Sequence, residues 1–141
     1  MEKIAWGKFQ HYRYDEGDLS EEPDLQFPFV AGSRFRAANI GIDSPAVQVN
    51  IEDFYKGVDI PWTLAHDEVH TVISGECEIE FHEPPLMLES GKIVVKTGDC
   101  YYMPRGCRVV WRVLSDDPFR HYCICFPNPS YPIPLVKSVR G

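Results

Sequence analysis

His66, Glu68 and His70 occupy alternate positions in the stretch PWTLAHDEVHTVISGE, residues 61–76. Two imidazoles and one carboxylate with positions left open form a ligand set for Zn, Fe, Mn or Ni. Without a metal, Glu68 and His70 can form an acid–base pair. A buried carboxyl tends toward a raised pKa, and a neighbouring imidazole exchanges protons near neutrality. On an extended strand, residues two apart face the same way at roughly 7 Å spacing, so Glu68 and His70 share a face. His66 and His70 are then roughly 13 Å apart, too far to share one ion. A joint site needs a bend at His66 or a ligand from elsewhere, for which His121 and His82 are candidates. Three readings stand at this point: a metal held by His66, Glu68 and His70, a metal-free polar pocket around Glu68 and His70, and a filled interior with no site. In the second, Tyr101, Tyr102 or Tyr122 would share the hydrogen bonds.

Trp62, one of Tyr101 and Tyr102, and Trp111 or Phe126 are the aromatics expected to line such a pocket, unless they pack as core. Cys123 and Cys125 lie two apart on a strand-like pattern, so both thiols face one side, where they could ligate a soft metal or fill core. The remaining cysteines, Cys77, Cys100 and Cys107, show no C-x-x-C spacing. His11 and His82 read as surface residues.

Short strands must position these groups. Residues 46–52 alternate apolar and polar, as do residues 77–81, where Glu76, Glu78 and Glu80 take the other face. Residues 93–96, 101–103, 108–113 and 122–126 are rich in β-branched and aromatic residues. Turn signals separate them at Ser74-Gly75, Ser90-Gly91, Thr97-Gly98-Asp99, Arg105-Gly106 and Ser115–Pro118. Even spacing of this kind predicts a sandwich or barrel. The best helix candidate is the short run Glu52–Lys56. Residues 1–45 differ: acidic loop-like stretches at 14–18 and 20–24 precede Phe27, Phe29, Val30 and Phe35, which need burial. They predict an arm that packs on its own barrel or on a neighbour's. Residues 46–127 form the barrel, and the Pro-rich residues 128–141 form an extended tail.

At 141 residues the chain suits one domain. A net charge of -7 with scattered Lys and Arg argues against nucleic acid. No apolar run reaches the roughly 20 residues of a membrane span, and no signal-peptide pattern opens the chain, so a cytoplasmic protein with reduced thiols is expected.

Two segments together resemble the cupin superfamily. Glu68, six residues and Gly75 fit the end of its first motif, and Gly98, five residues and Pro104-x-Gly106 fit the start of its second. The resemblance implies an all-β, single-domain antiparallel jelly-roll β-barrel with the site inside, and an inward Glu68. The usual cupin metal ligands fall here on Trp62, Leu64, Glu68 and Val109, so three of four cannot bind metal. The wording PWTLAHDEVHTVISGECEI followed by GDCYYMPRG is similar to the EutQ-like cupins, whose strand reads W-T-L-x-Y-D-E-V-D-Y-V-x-x-G. His66 and His70 stand where that pattern has Tyr and Asp. No Gly-rich phosphate loop accompanies them.

Two functions follow from this reading. One is a small-molecule enzyme of lyase, isomerase or hydrolase type. Catalysis would use Glu68 and His70, with Trp62, His66, Tyr101, Tyr102 and Trp111 binding a small carbonyl, hydroxy-acid or phenolic substrate. The other is a non-catalytic ligand-binding or accessory protein of a metabolic operon. The family habit and the arm imply a homodimer.

Overall fold

The structure is a computed structural model that describes residues 7–130. Nine strands follow one helical turn: α1 (Glu16–Ser20), β1 (Phe35–Asn39), β2 (Gln48–Phe54), β3 (Ile60–Thr63), β4 (Asp67–Ser74), β5 (Glu76–Glu83), β6 (Glu89–Lys96), β7 (Cys100–Met103), β8 (Arg108–Val113) and β9 (Phe119–Phe126). They form two facing antiparallel sheets, ordered β1-β2-β9-β4-β7 and β3-β8-β5-β6. Consecutive strands cross repeatedly from one sheet to the other, which is the doubled Greek key of a jelly roll.

Turn chemistry fixes where the strands reverse. Gly75 joins β4 to β5 at φ +84°, and a Cβ there would lie 2.5 Å from the Pro118 carbonyl oxygen, so only glycine fits. The turn between β6 and β7 is tied to β4: Gly98 N–H donates to the Val72 carbonyl, and Val72 N–H donates to the Asp99 carbonyl. The turn between β7 and β8 is tied to the start of β4, where Asp67 Oδ1 accepts from Arg105 N–H at 2.8 Å.

The interior is a continuous core. Ile60, Leu64, Cys77, Ile79, Val95, Val109, Trp111, Phe119 and Phe54 are buried in it. Trp111 and Phe119 are its largest fully buried side chains. Outside the first sheet, a second cluster joins Leu19 of α1 to Ala38 of β1 and Ile51 of β2. Leu19 thus packs on the outer face of the sheet, whereas Phe27 enters the inner core and Phe35–Asn39 are themselves the edge strand β1. Asp15 caps α1 through a bond from Gly17 N–H, and Arg120 of β9 clamps it by binding Glu16 at 2.7 Å and the buried Asp53 at 2.8 Å.

Three local expectations change. Residues 52–56 are not a helix: β2 continues to Phe54 because it is paired on both sides, with β1 and with β9. Ser90-Gly91 is not a turn but part of β6, since Gly91 sits opposite Phe81 and the ring covers the space its side chain lacks. The acidic stretch around Asp15 forms α1 rather than a plain loop. Of the tail, residues 131–141 lie outside the described residues.

Candidate functional site

Three adjacent strands, β2, β9 and β4, bring the chemistry together. Their register aligns side chains in rows across the inner face. Gln48, Cys125 and Glu68 form one row, Asn50, Cys123 and His70 the next, and Glu52, His121 and Val72 the third. On the far side of β4, Tyr101 of β7 extends the middle row. The alternation along β2 runs opposite to a simple core strand. Its polar residues Gln48, Asn50 and Glu52 face inward, while Ile51 faces the arm.

Glu68 is the hub. His70 Nε2 lies 2.6 Å from its Oε1, and the Cys123 thiol donates to the same oxygen at 2.8 Å. His66 Nε2 lies 3.1 Å from Oε2. On the other side of the His70 ring, Nδ1 meets the Tyr101 hydroxyl at 2.5 Å. These partners assign the tautomer: Tyr101 donates to Nδ1, and His70 Nε2–H donates to the carboxylate. The His70 ring is stacked 4.1 Å from His121 and lies parallel to Trp111 at 5.8 Å. His121 Nε2 is 2.9 Å from Glu52 Oε1, and its Nδ1 is buried without a hydrogen-bond partner among the described residues.

Burial works to raise the Glu68 carboxyl, but the bonds from His70 and Cys123 outweigh it and hold the pKa down to about 2. The raised carboxyl expected from burial alone is therefore overturned. Burial and the neighbouring His121 push His70 below its usual value, so the ring is neutral at neutral pH. Burial also raises the Tyr101 phenol, which stays a donor.

A cavity of about 240 Å³ opens beside this cluster. Glu68, His66, Glu52, Cys123 and Cys125 form its polar side, and Trp62, Trp111, Phe27 and Phe54 its aromatic side. The anticipated residues thus separate into groups. Glu68, His66, Trp62 and Trp111 line the cavity. His70 is fully buried behind Glu68, so it reaches the cavity only through that carboxylate. Tyr101 is one shell further, bonded to His70. Tyr102 is 57% exposed and lines a separate apolar cavity with Ile93, Phe81 and Met103. His82 stands apart, 3.7 Å from Glu80.

The inherited cupin metal positions do not fit a metal: Leu64 and Val109 are core residues, and Trp62 offers no ligand atom. Other donors do converge. Glu52, Glu68, His70 and Cys123 have ligand atoms within 4.8 Å of one another, and so do His66, Glu68 and Cys125. His66 and His70 thus fall in two different sets that share Glu68, as their spacing along the chain requires. Glu52 was not foreseen as part of the site. Its place beside His121 follows from the pairing of β2 with β9, whereas the inward pair of thiols was readable from their spacing.

Comparison with known proteins agrees with the fold. Residues 57–122 match the family model of the EutQ-like cupin domain. Among solved structures, KdgF from Halomonas sp. superposes with a TM-score of 0.62 at 15% identity, covering 87% of this chain and 97% of that one. The putative ethanolamine utilization protein Q of Salmonella typhimurium gives 0.57 at 17% identity, covering 86% and 98%. The Clostridium difficile EutQ protein gives 0.55 at 19% identity, covering 71% and 67%. No curated protein sequence matches the chain.

Proposed function

From the match of residues 57–122 to the EutQ-like cupin domain, we propose that the chain is a cupin of that kind which binds a small carbonyl, hydroxy-acid or phenolic molecule in the cavity beside Glu68 and acts on it. One observation carries this reading: an ionised carboxylate, bonded from behind by His70, looks into a cavity whose other wall is aromatic. Such a site accepts a hydroxyl hydrogen at one end of a ligand and stacks its flat body at the other. At about 240 Å³ the cavity is below the roughly 300–1,000 Å³ of drug-sized sites, which suits a compact ligand. Glu68 and His66 are the groups that would touch it. His70 positions Glu68 and links it to Tyr101, giving a path for a proton between cavity and interior. A divalent ion, Zn, Fe, Mn or Ni, would polarise a bound oxygen in the same cavity.

A second reading, a non-catalytic ligand-binding or accessory protein of a metabolic operon, is favoured by a different observation. A carboxyl held at about 2 retains a proton poorly, which suits an acceptor better than a general base. No described helix is long and apolar enough to cross a membrane. We place the protein in the cytoplasm as a homodimer. A monomeric mass in light scattering would remove the dimer.

Ligand-detected NMR with lactate, glycolate, phenol and catechol tests the binding reading. At least one should bind saturably, and Glu68→Gln should weaken it tenfold or more, the size of a lost charged hydrogen bond. Equal binding by both proteins defeats the proposal. Turnover of a bound compound that falls with Glu68→Gln selects the enzyme, and binding without turnover selects the accessory role.

A further inference from the structure

We infer that the cavity holds a transition-metal ion through His66, Glu68 and Cys125, with one coordination position open to the cavity. This deepens the reading of the cavity as the functional site. The three donor atoms already lie within 4.8 Å of one another. His66 Nε2 and Glu68 Oε2 are 3.1 Å apart, close to the roughly 3.3 Å edge of a tetrahedron with 2.0–2.1 Å bonds. All three residues line the cavity, so substrate or water can complete the sphere. Three protein ligands with a free fourth position are the arrangement of catalytic rather than structural zinc.

The two oxygens of Glu68 divide the work. Oε1 is taken by His70 and Cys123, which orient the carboxylate as outer-shell donors orient a metal ligand. Oε2 faces His66 and is the oxygen that an ion would take. Cys125 contributes a thiol whose one bonded partner among the described residues is the Cys123 thiol at 3.5 Å. On binding, the thiol proton leaves to solvent and the thiolate becomes the ligand. A mixed nitrogen, oxygen and sulfur set disfavours Mg and Ca and suits Zn, Co, Fe or Ni.

The alternative set, Glu52, Glu68, His70 and Cys123, is poorer for an ion. His70 is fully buried with both ring nitrogens bonded, and Glu52 is bonded to His121. An ion there would displace His70 and Glu52 from bonds that each already makes.

Cobalt(II) tests the assignment, because a thiolate ligand gives a sulfur-to-cobalt charge-transfer band in the near ultraviolet. The protein is titrated as a Cys100→Ser variant, which removes the exposed thiol of β7. One equivalent should bind with that band. Cys125→Ser should abolish the band, and His66→Ala should weaken binding tenfold or more. His70→Gln should keep the band, since His70 is not a ligand. Far-ultraviolet circular dichroism checks that each variant is folded, and His66 lies outside the strands, so its variant reads the site even if a strand substitution fails. No binding at equimolar micromolar cobalt overturns the inference. So does a band that survives Cys125→Ser or is lost in His70→Gln, which would assign the ion to the buried set. If cobalt fails while a hydroxy acid or phenol still binds, the metal inference falls and the ligand-binding reading stands.

Discussion

Across the interior from His121, Cys123 and Cys125 on β9 stand Val109, Trp111 and Val113 on β8. Both strands alternate buried and partly buried residues, and both sit inside their sheets rather than at an edge. Yet one face is built of groups that ionise or ligate, and the other of groups that only exclude water. The two faces work together. Trp111 lies parallel to His70 at 5.8 Å and forms part of the cavity's aromatic wall, so the cluster around Glu68 is covered from the opposite sheet. In that environment each hydrogen bond to the carboxylate is worth more than it would be in water. Covering one face with apolar groups is what lets the other hold an ionised glutamate and a neutral histidine side by side.

Breaking the apolar face should have the largest effect. Trp111→Ala removes its largest side chain and should cost roughly 3–5 kcal/mol, read as a lower urea midpoint. With the cover gone, His70 should titrate closer to its ordinary value, as followed by imidazole proton shifts in NMR. A loss below 1 kcal/mol with an unmoved His70 would mean the two faces are independent.

Acid should break the polar face next. His70 is faced by Glu68 on its own strand, His121 and Cys123 from β9, Tyr101 from β7 and Glu52 from β2. Its folded pKa lies below the ordinary value, so below about pH 6.5 the unfolded chain binds the extra proton and stability begins to fall. Glu68, ordinarily near 4.5 and here about 2, contributes stability that is full above 4.5 and lost as pH falls toward 2. That second loss is on the order of 3 kcal/mol. Urea unfolding between pH 7 and pH 3 checks both steps, and a flat profile would contradict the assigned charge states.

The smallest effect serves as the control. Val94 is on β6 but 48% exposed on its outer side, so Val94→Thr should stay within about 0.5 kcal/mol.

The sequence made the sheets readable because their signals are local. Gly75, Gly98 and the Pro104–Gly106 turn act within a few residues, and period-two alternation put Glu68 with His70 and Cys123 with Cys125 on common faces. What stayed hidden was long-range. Nothing near Glu52 announces that β2 will lie beside β9 and set it against His121. The depth of His70 behind Glu68, and the direction in which the Glu68 carboxyl is pulled, depend on groups from three strands. Tyr101 and Tyr102 are equivalent by type, and only the pairing of β7 with β4 gives the first to His70. Ser90-Gly91 looked like a turn because glycine's local meaning was overruled by the ring of Phe81.

The inverted alternation of β2 also bears on how the chain avoids mispairing. A strand with one indifferent face can slide along its neighbour at little cost. Here a slip of one residue would drive Val49 and Ile51 against the ionised cluster and push Glu52 under Leu19 of the arm. Both faces reject the error at once, so a strand that turns mostly polar side chains inward is nonetheless held firmly in register.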